Sequence, residues 1–342
     1  MDVACVRVPR ERGEATRRQL ADAGLLDHDH EITHEDGTLY IPVTDAEAAE
    51  SVVDADSGED ADDADVTVAF RDLPTRETQQ LPDDILGFEP SYERLGEIII
   101  LDEDDPDRAR EIADAMVASD IPVETVVNRA SKVKGDLRVR DWEVLVGETT
   151  EAVHREYGCE FLVDIAEVYF SPRLATERHR VVQQVEPGEQ AFDMFAGVGP
   201  FAVPMAKRGA EVVGCDLNPV AVKYLRENAE RNGVADRVTG IAGDVREVAT
   251  DWEGWADRLV ANLPHSANDF VDTAVALAGD DCVLHYYDIQ HEDDLFGPGE
   301  RAIRQAVADA GDEYDVEVLT RHEVRSYAPH ETNVCLDVAL SR

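Results

Sequence analysis

Apolar positions in the first 45 residues form two short runs, "DVACVRV" at 2–8 and "TLYIPV" at 38–43. They flank a charged, helix-spaced stretch at 10–23. The pattern predicts strand, helix and strand, a small α/β module over residues 1–45. Residues 46–65, "AEAAESVVDADSGEDADDAD", are acidic and free of aromatics, the composition of a flexible linker. From 66 to about 165, strand-like runs at 66–70, 97–101 and 123–127 surround a helical pattern at 106–118. A proline there suits the first helical turn. "VLVGE" and "CEFLVDIAEVYF" add further strand, and the irregular order predicts an α+β middle domain over 66–165.

From 190 the rhythm becomes regular. "QAFDMF", "EVVGCD", "VTGIAG", "DRLVANL" and "CVLHYYDI" read as strands, and helical patterns follow most of them. Two last strand-like runs, 315–324 and 334–340, have no helix between them. Strand and helix in alternation, ending in a hairpin, predict a doubly wound, mainly parallel Rossmann-like sheet with an antiparallel C-terminal edge. This sheet domain is assigned to 166–342.

Composition changes the picture in one respect. The chain of 342 residues is 43% apolar, enough for two or three domains with a sizeable core. No apolar run approaches the roughly 18 residues of a membrane span, and "MDVACVRVPR" lacks a signal-peptide pattern, so a cytoplasmic protein with no membrane partner is expected. The five cysteines are scattered without a C-x-x-C pair, which argues against structural zinc or a disulfide framework. The net charge is −43, spread along the whole chain, with only four lysines. Such a surface fits a cytoplasm near molar salt, as in a halophilic archaeon. There the Debye length is about 3 Å, so the charge does not exclude an RNA substrate.

The candidate chemistry begins at "FDMFAGVGPF", 192–201. Gly197, Gly199 and Ala202 form G-x-G-x-x-A, which fits dinucleotide and S-adenosylmethionine sites alike. Asp193 before the turn suits a positively charged ligand end better than a pyrophosphate. Asp216 ends the next strand, where a carboxylate can accept bonds from both ribose hydroxyls. Asp244, in "GDV", ends the third strand, in reach of an adenine amino group. A lone Asp at a strand end is commonly a helix cap, but three beside one glycine turn point to S-adenosylmethionine. "ANLPHSA" at 261–267 places Asn262 and Pro264 after the fourth strand, similar to the N-P-P-Y-like motif of methyltransferases acting on nitrogen. A nicotinamide-dependent oxidoreductase is the competing reading of the turn.

With "VYFSPRLATERHRV", "DMFAGVGPF", "KGDLRVRDWEVLVGE" and "VRSYAPHETNVCLDV" in hand, the chain resembles the archaeal and eukaryotic tRNA (guanine-N1)-methyltransferases from end to end. The resemblance implies a class I methyltransferase domain using S-adenosylmethionine, acting on guanosine 37 of tRNA. It implies Glu177 as general base, Arg138 as the cation on the guanine oxygen, and Tyr169 near the cofactor's methyl end. Arg178, Phe195, Leu217 and Val245 join Asp193, Gly197, Gly199, Asp216, Asp244 and Asn262 as expected cofactor contacts. The N-terminal module is expected to grip the outer body of the tRNA, and the protein to be a monomer. A related family, the aminocarboxypropyl transferases of wybutosine synthesis, is the alternative. It tends to carry a Ser-Gly-Asn-like segment where this chain has Ser171-Pro172-Arg173. From the residues alone, Glu177 reads first as an ordinary helix-face partner of Arg173, four residues before it, or Arg180, three after it, and only the resemblance reverses that.

Overall fold

A computed structural model describes residues 2–54, 66–76, 79–131, 135, 139–311 and 314–342. The chain divides into two compact units, Met1–Gln80 and Leu81–Arg342.

The first unit holds strands β1 (Val3–Pro9), β2 (Thr33–Glu35), β3 (Thr38–Pro42) and β4 (Thr67–Arg71) in the order β2-β3-β1-β4. Helices α1 (Gly13–Asp22) and α2 (Ala46–Asp54) accompany them. The helix expected at 10–23 begins as a 3-10 turn over Arg10–Arg12. Two features correct the expected boundaries. Residues 46–54, assigned to the linker, are helical because Ala49 and Val53 lie four apart and bury against Val6, Leu20 and Ile41. Asp45 caps that helix, accepting the Ala48 N–H at 3.0 Å. Strand β4, expected in the middle domain, pairs antiparallel with β1, from Val3↔Arg71 to Arg7↔Thr67. The rest of the expected linker, 55–65, lies outside the described residues.

The second unit begins with α3 (Pro82–Leu86) and a sheet of β5 (Glu93–Leu95), β6 (Ile98–Leu101), β7 (Thr125–Arg129) and β8 (Trp142–Val146), ordered β5-β6-β7-β8. Helix α4 (Pro106–Ala118) connects the parallel pair β6–β7. Its cap, Asp105, accepts from the N–H groups of Asp107 and Arg108. Ile112 and Met116 of α4 close a core with Ile99, Leu101 and Val126. A hairpin of β9 (Glu151–Glu156) and β10 (Cys159–Asp164) follows, then α5 (Ala175–Val182).

The main sheet contains β11 (Gln190–Asp193), β12 (Glu211–Asp216), β13 (Val238–Ala242), β14 (Ala256–Ala261), β15 (Ala278–His291), β16 (Asp315–Ala328) and β17 (Glu331–Ser341). Between them run α6 (Ala202–Lys207), α7 (Pro219–Arg231), α8 (Val245–Val248), α9 (Val271–Leu277) and α10 (Gly297–Ala310). The strand order is β13-β12-β11-β14-β15-β17-β16, parallel from β13 to β15, with β17 antiparallel to both neighbours. The expected sheet and its hairpin edge are therefore present. The order reverses between β11 and β14, and at such a switch point the strand ends open a crevice for ligands.

The β9–β10 hairpin is tied to this sheet by two asparagines one helical turn apart, Asn228 on α7 and Asn232 at its C-terminal cap. Asn228 accepts the Leu162 N–H at 2.7 Å and donates to the Leu162 carbonyl at 3.1 Å. Asn232 does the same for Glu160, at 3.0 and 2.6 Å. Each amide thus satisfies the edge-strand backbone as a neighbouring strand would. Phe161 and Val163 of β10 share one core with Val181, Phe201 and Leu225.

Candidate active site

The glycine turn after β11 is shaped by two left-handed residues, Gly197 at φ 53° and Gly199 at φ 92°. A Cβ on Gly199 would stand 2.4 Å from Leu225 Cδ1, so a side chain there meets both strain and a packed neighbour. The Met194 N–H donates to the Val260 carbonyl and the Ala196 N–H to the Cys215 carbonyl, at 3.0 and 2.8 Å. These bonds thread the turn between the ends of β14 and β12.

Two carboxylates, Asp193 and Asp216, bond this turn, and a third, Asp244, lies at the end of the next strand. Asp193 is buried; its Oδ1 accepts the Phe195 N–H at 3.4 Å, and its Oδ2 is buried without a hydrogen-bond partner. Burial pushes its carboxyl up to about 7; the Phe195 bond opposes this and the Asp216 charge adds to it. Asp216 takes the Gly197 N–H on Oδ2 at 2.7 Å and the Asn218 N–H on Oδ1 at 2.8 Å. Burial raises its pKa despite both bonds. Asp244 caps α8, accepting the Arg246 N–H at 2.9 Å, and pairs with the Arg246 guanidinium, which lowers its pKa. It therefore serves as the helix cap that a strand-end Asp commonly is. The Gly243 N–H donates to the Asp216 carbonyl at 3.0 Å, so "GDV" sits beside Asp216. Val245 is buried, while Leu217 is exposed. Phe195 meets Phe270 edge-on at 5.0 Å, with Arg246 over the Phe270 ring. Asn262 and Pro264, both half-buried, follow the end of β14.

Glu177 lies on α5 and is 5% exposed. Arg180 grips it with two bonds, Nε to Oε2 and Nη2 to Oε1, both 2.8 Å. The Tyr287 hydroxyl donates to Oε1 at 2.8 Å, and His322 Nε2 lies 3.1 Å from Oε2. The i,i+3 pairing with Arg180 is thus real, but it is one part of a larger set. Behind it, Asp337 accepts from Arg180 Nη1 at 2.6 Å and from Gln184 at 3.1 Å. Asp337 Oδ1 also lies 2.7 Å from Nδ1 of the fully buried His285. His285 Nε2 faces Arg258 Nη1 at 2.8 Å, so it must accept, which fixes a neutral ring with its proton on Nδ1. Burial lowers the His285 pKa, consistent with that tautomer. Arg258 ends the chain with two bonds to Glu189.

His285, Cys335 and Asp337 bring three potential metal-ligating atoms within 4.8 Å of one another. Two arginines flank them and the His285 and Asp337 lone pairs are already engaged, so the cluster is a buried charge network and is unsuited to a cation.

Arg178 is the residue expected to contact the cofactor from α5. Its guanidinium is buried, paired with Glu156 at 2.7 and 2.5 Å and bonded to the Ser171 carbonyl at 3.1 Å. Its hydrogen bonds brace the segment that follows Tyr169, because the carboxylate of β9 claims the guanidinium. Tyr169 is 39% exposed, and its carbonyl is 3.9 Å from the Cβ position of Gly197. Arg138 lies outside the described residues. Its neighbour Arg140 stands over the Trp142 ring at 5.4 Å, its pKa lowered by burial and by the Arg129 charge. Tyr287, His322 and Asp337 were missed in the sequence, where only their membership of strands β15, β16 and β17 was visible; Arg180 was legible as a partner of Glu177, but its second hold on Asp337 was not.

The parallel sheet, glycine turn and acid-tipped strands define a methyltransferase-type domain. Residues 152–319 match the TRM5/TYW2 methyltransferase domain. Residues 5–51 match the tRNA methyltransferase 5 N-terminal domain, and 77–150 the TYW2 N-terminal domain. The chain is 39% identical to the tRNA (guanine(37)-N(1))-methyltransferase Trm5b of Pyrococcus abyssi, over 98% of both chains. It is 31% identical to the tRNA(Phe) (4-demethylwyosine(37)-C(7)) aminocarboxypropyltransferase of Pyrococcus horikoshii, over 76% of this chain and 93% of that one. Among solved structures it is similar to aTrm5 in complex with tRNALeu, at 31% identity and a TM-score of 0.69 over 98% of this chain and 99% of that one. It is also similar to Methanocaldococcus jannaschii Trm5 in complex with adenosine, at 30% identity and a TM-score of 0.64 over 99% of both. The chain belongs to the Trm5 family of tRNA (guanine(37)-N(1))-methyltransferases.

Proposed function

We propose that this chain transfers a methyl group from S-adenosylmethionine to N1 of guanosine 37 in tRNA, with Glu177 as general base. The observation that carries the reading is the full-length likeness to Trm5b, which includes the N-terminal module. The aminocarboxypropyl transferase covers only about three quarters of the chain.

The residues fit the cofactor. Asp193 Oδ2, buried and unpartnered, suits the ammonium of the methionine end. Asp216 has lone pairs beyond the two backbone bonds for ribose hydroxyls. Leu217, Val245 and Phe195 offer apolar contact for the adenine, and Asp244 an acceptor at its edge. Gly197 and Gly199 let the backbone approach closely. When bound, the cofactor supplies an electrophilic methyl group on a sulfonium, the leaving group being a neutral thioether.

Guanine N1 carries a proton that must leave as the nitrogen attacks. Glu177 accepts it, a role worth roughly 10²–10⁴-fold. Arg138 stabilises the negative charge that grows on the guanine oxygen. Tyr169 and Asn262-Leu263-Pro264 hold base and methyl donor in line, so that positioning lowers the rest of the barrier. The target base is splayed out of the anticodon loop to reach this crevice. The N-terminal unit holds the outer body of the tRNA, and the enzyme acts as a monomer in a salt-rich cytoplasm.

The test is methyl transfer to a tRNA transcript carrying G37, against the same transcript with A37, by wild type and Glu177→Gln. Wild type is expected to label only the G37 transcript. Glu177→Gln is expected to lose at least about 100-fold in single-turnover rate while binding S-adenosylmethionine normally. Equal losses of rate and binding would remove Glu177 from the catalytic role.

A further inference from the structure

Each Glu177 oxygen already has two partners: Oε1 meets Arg180 Nη2 and the Tyr287 hydroxyl, and Oε2 meets Arg180 Nε and His322 Nε2. A carboxylate has about four acceptor positions, so none is left over for a guanine N1–H. One partner must withdraw before Glu177 can act. Arg180 is anchored from behind by Asp337 through two bonds. Tyr287 is 1% exposed within the core. His322 is the remaining partner, 38% exposed on the outermost strand β16.

We propose that His322 is a removable stand-in for the substrate. It occupies the acceptor position on Glu177 Oε2 that guanine N1–H takes, and the incoming base displaces it. This rests on Glu177 being the base. The contact is a full ion pair only when the imidazole is protonated and a single hydrogen bond otherwise, weaker in either state than the doubly bonded Arg180. The imidazole meets the Glu177 carboxylate of α5, which Arg180 of α5 and Tyr287 of β15 hold from its other sides; on its own strand Arg321 and Glu323 point to the opposite face. Cys335 is its register partner, 3.4 Å from Arg180. Arg321 is occupied by Glu300.

The experiment measures single-turnover methyl transfer at subsaturating G37 tRNA for wild type, His322→Ala, His322→Gln and Glu177→Gln. His322→Ala removes the imidazole from Glu177 Oε2, so that variant is expected to exceed wild type about fivefold in rate. His322→Gln keeps a donor for that oxygen, so its rate should stay near wild type. A His322→Ala rate at or below wild type would overturn the gate. A Glu177→Gln rate equal to wild type would instead overturn the base beneath it, and the gate with it.

Discussion

Replacing Asp193 with Asn separates folding from ligand binding, because the two should move in opposite directions. In the free protein the Asp193 carboxyl is buried with one oxygen unpartnered, and burial pushes it up to about 7. Against an ordinary aspartate near 3.9, that difference corresponds to about 4 kcal/mol at most. The sign follows from proton binding: between roughly pH 4 and 7 the folded state holds the proton more tightly than the unfolded chain does. Stability from this group is therefore fully present below about pH 4, falls as pH rises, and levels off above about 7. Asn keeps the acceptor for the Phe195 N–H and carries no charge. At pH 8 Asp193→Asn should melt about 5–10 °C above wild type, and near pH 4 the two should coincide. Binding should go the other way: losing the anionic partner of the ligand's ammonium costs about 3–4 kcal/mol, some 100- to 1,000-fold in Kd for S-adenosylmethionine. Thermal melts of the free protein across pH 4–8.5, with calorimetric titration at pH 8 in concentrated potassium chloride, check both. A variant less stable than wild type at pH 8, or one binding the cofactor as tightly, would refute the reasoning.

Gly199→Ala should cost about 2–3 kcal/mol of stability and weaken cofactor binding, since its φ of 92° and the Leu225 contact leave no relaxed position for a methyl group; melting and titration check it. Asn228→Ala removes both bonds to Leu162 and one to the Val198 carbonyl. It should destabilise by about 2–4 kcal/mol and speed protease cleavage at the exposed Tyr157–Gly158 turn, read as the rate of nicking.

The sheet was legible because local periodicity records which residues face a core. Alternating runs from "QAFDMF" onward, the bare hairpin at the end and α4 all follow from that rule. The glycine turn and its acids were legible because each sits at a strand end, a place the sequence marks. What stayed hidden depends on partners far apart in the chain. Nothing in "VTVAF" says that it pairs with residues 3–7, and nothing in a helical pattern says that Asn228 and Asn232 grip a strand some 70 residues upstream. His285 and Asp337 sit in strands whose neighbours are apolar, and only the pairing of β15 with β17 sets them opposite each other. Arg178 was legible as a residue of the motif, but its commitment to Glu156 was not.

The most direct measurement of the central claim uses the full-length protein in concentrated potassium chloride, a G37 tRNA transcript and S-adenosylmethionine. The tRNA is then digested to nucleosides and weighed by mass spectrometry. The account predicts guanosine heavier by one methyl group, co-eluting with 1-methylguanosine and absent from the A37 transcript. A nucleoside heavier by an aminocarboxypropyl group, or no modification by a protein that binds the cofactor, would contradict it.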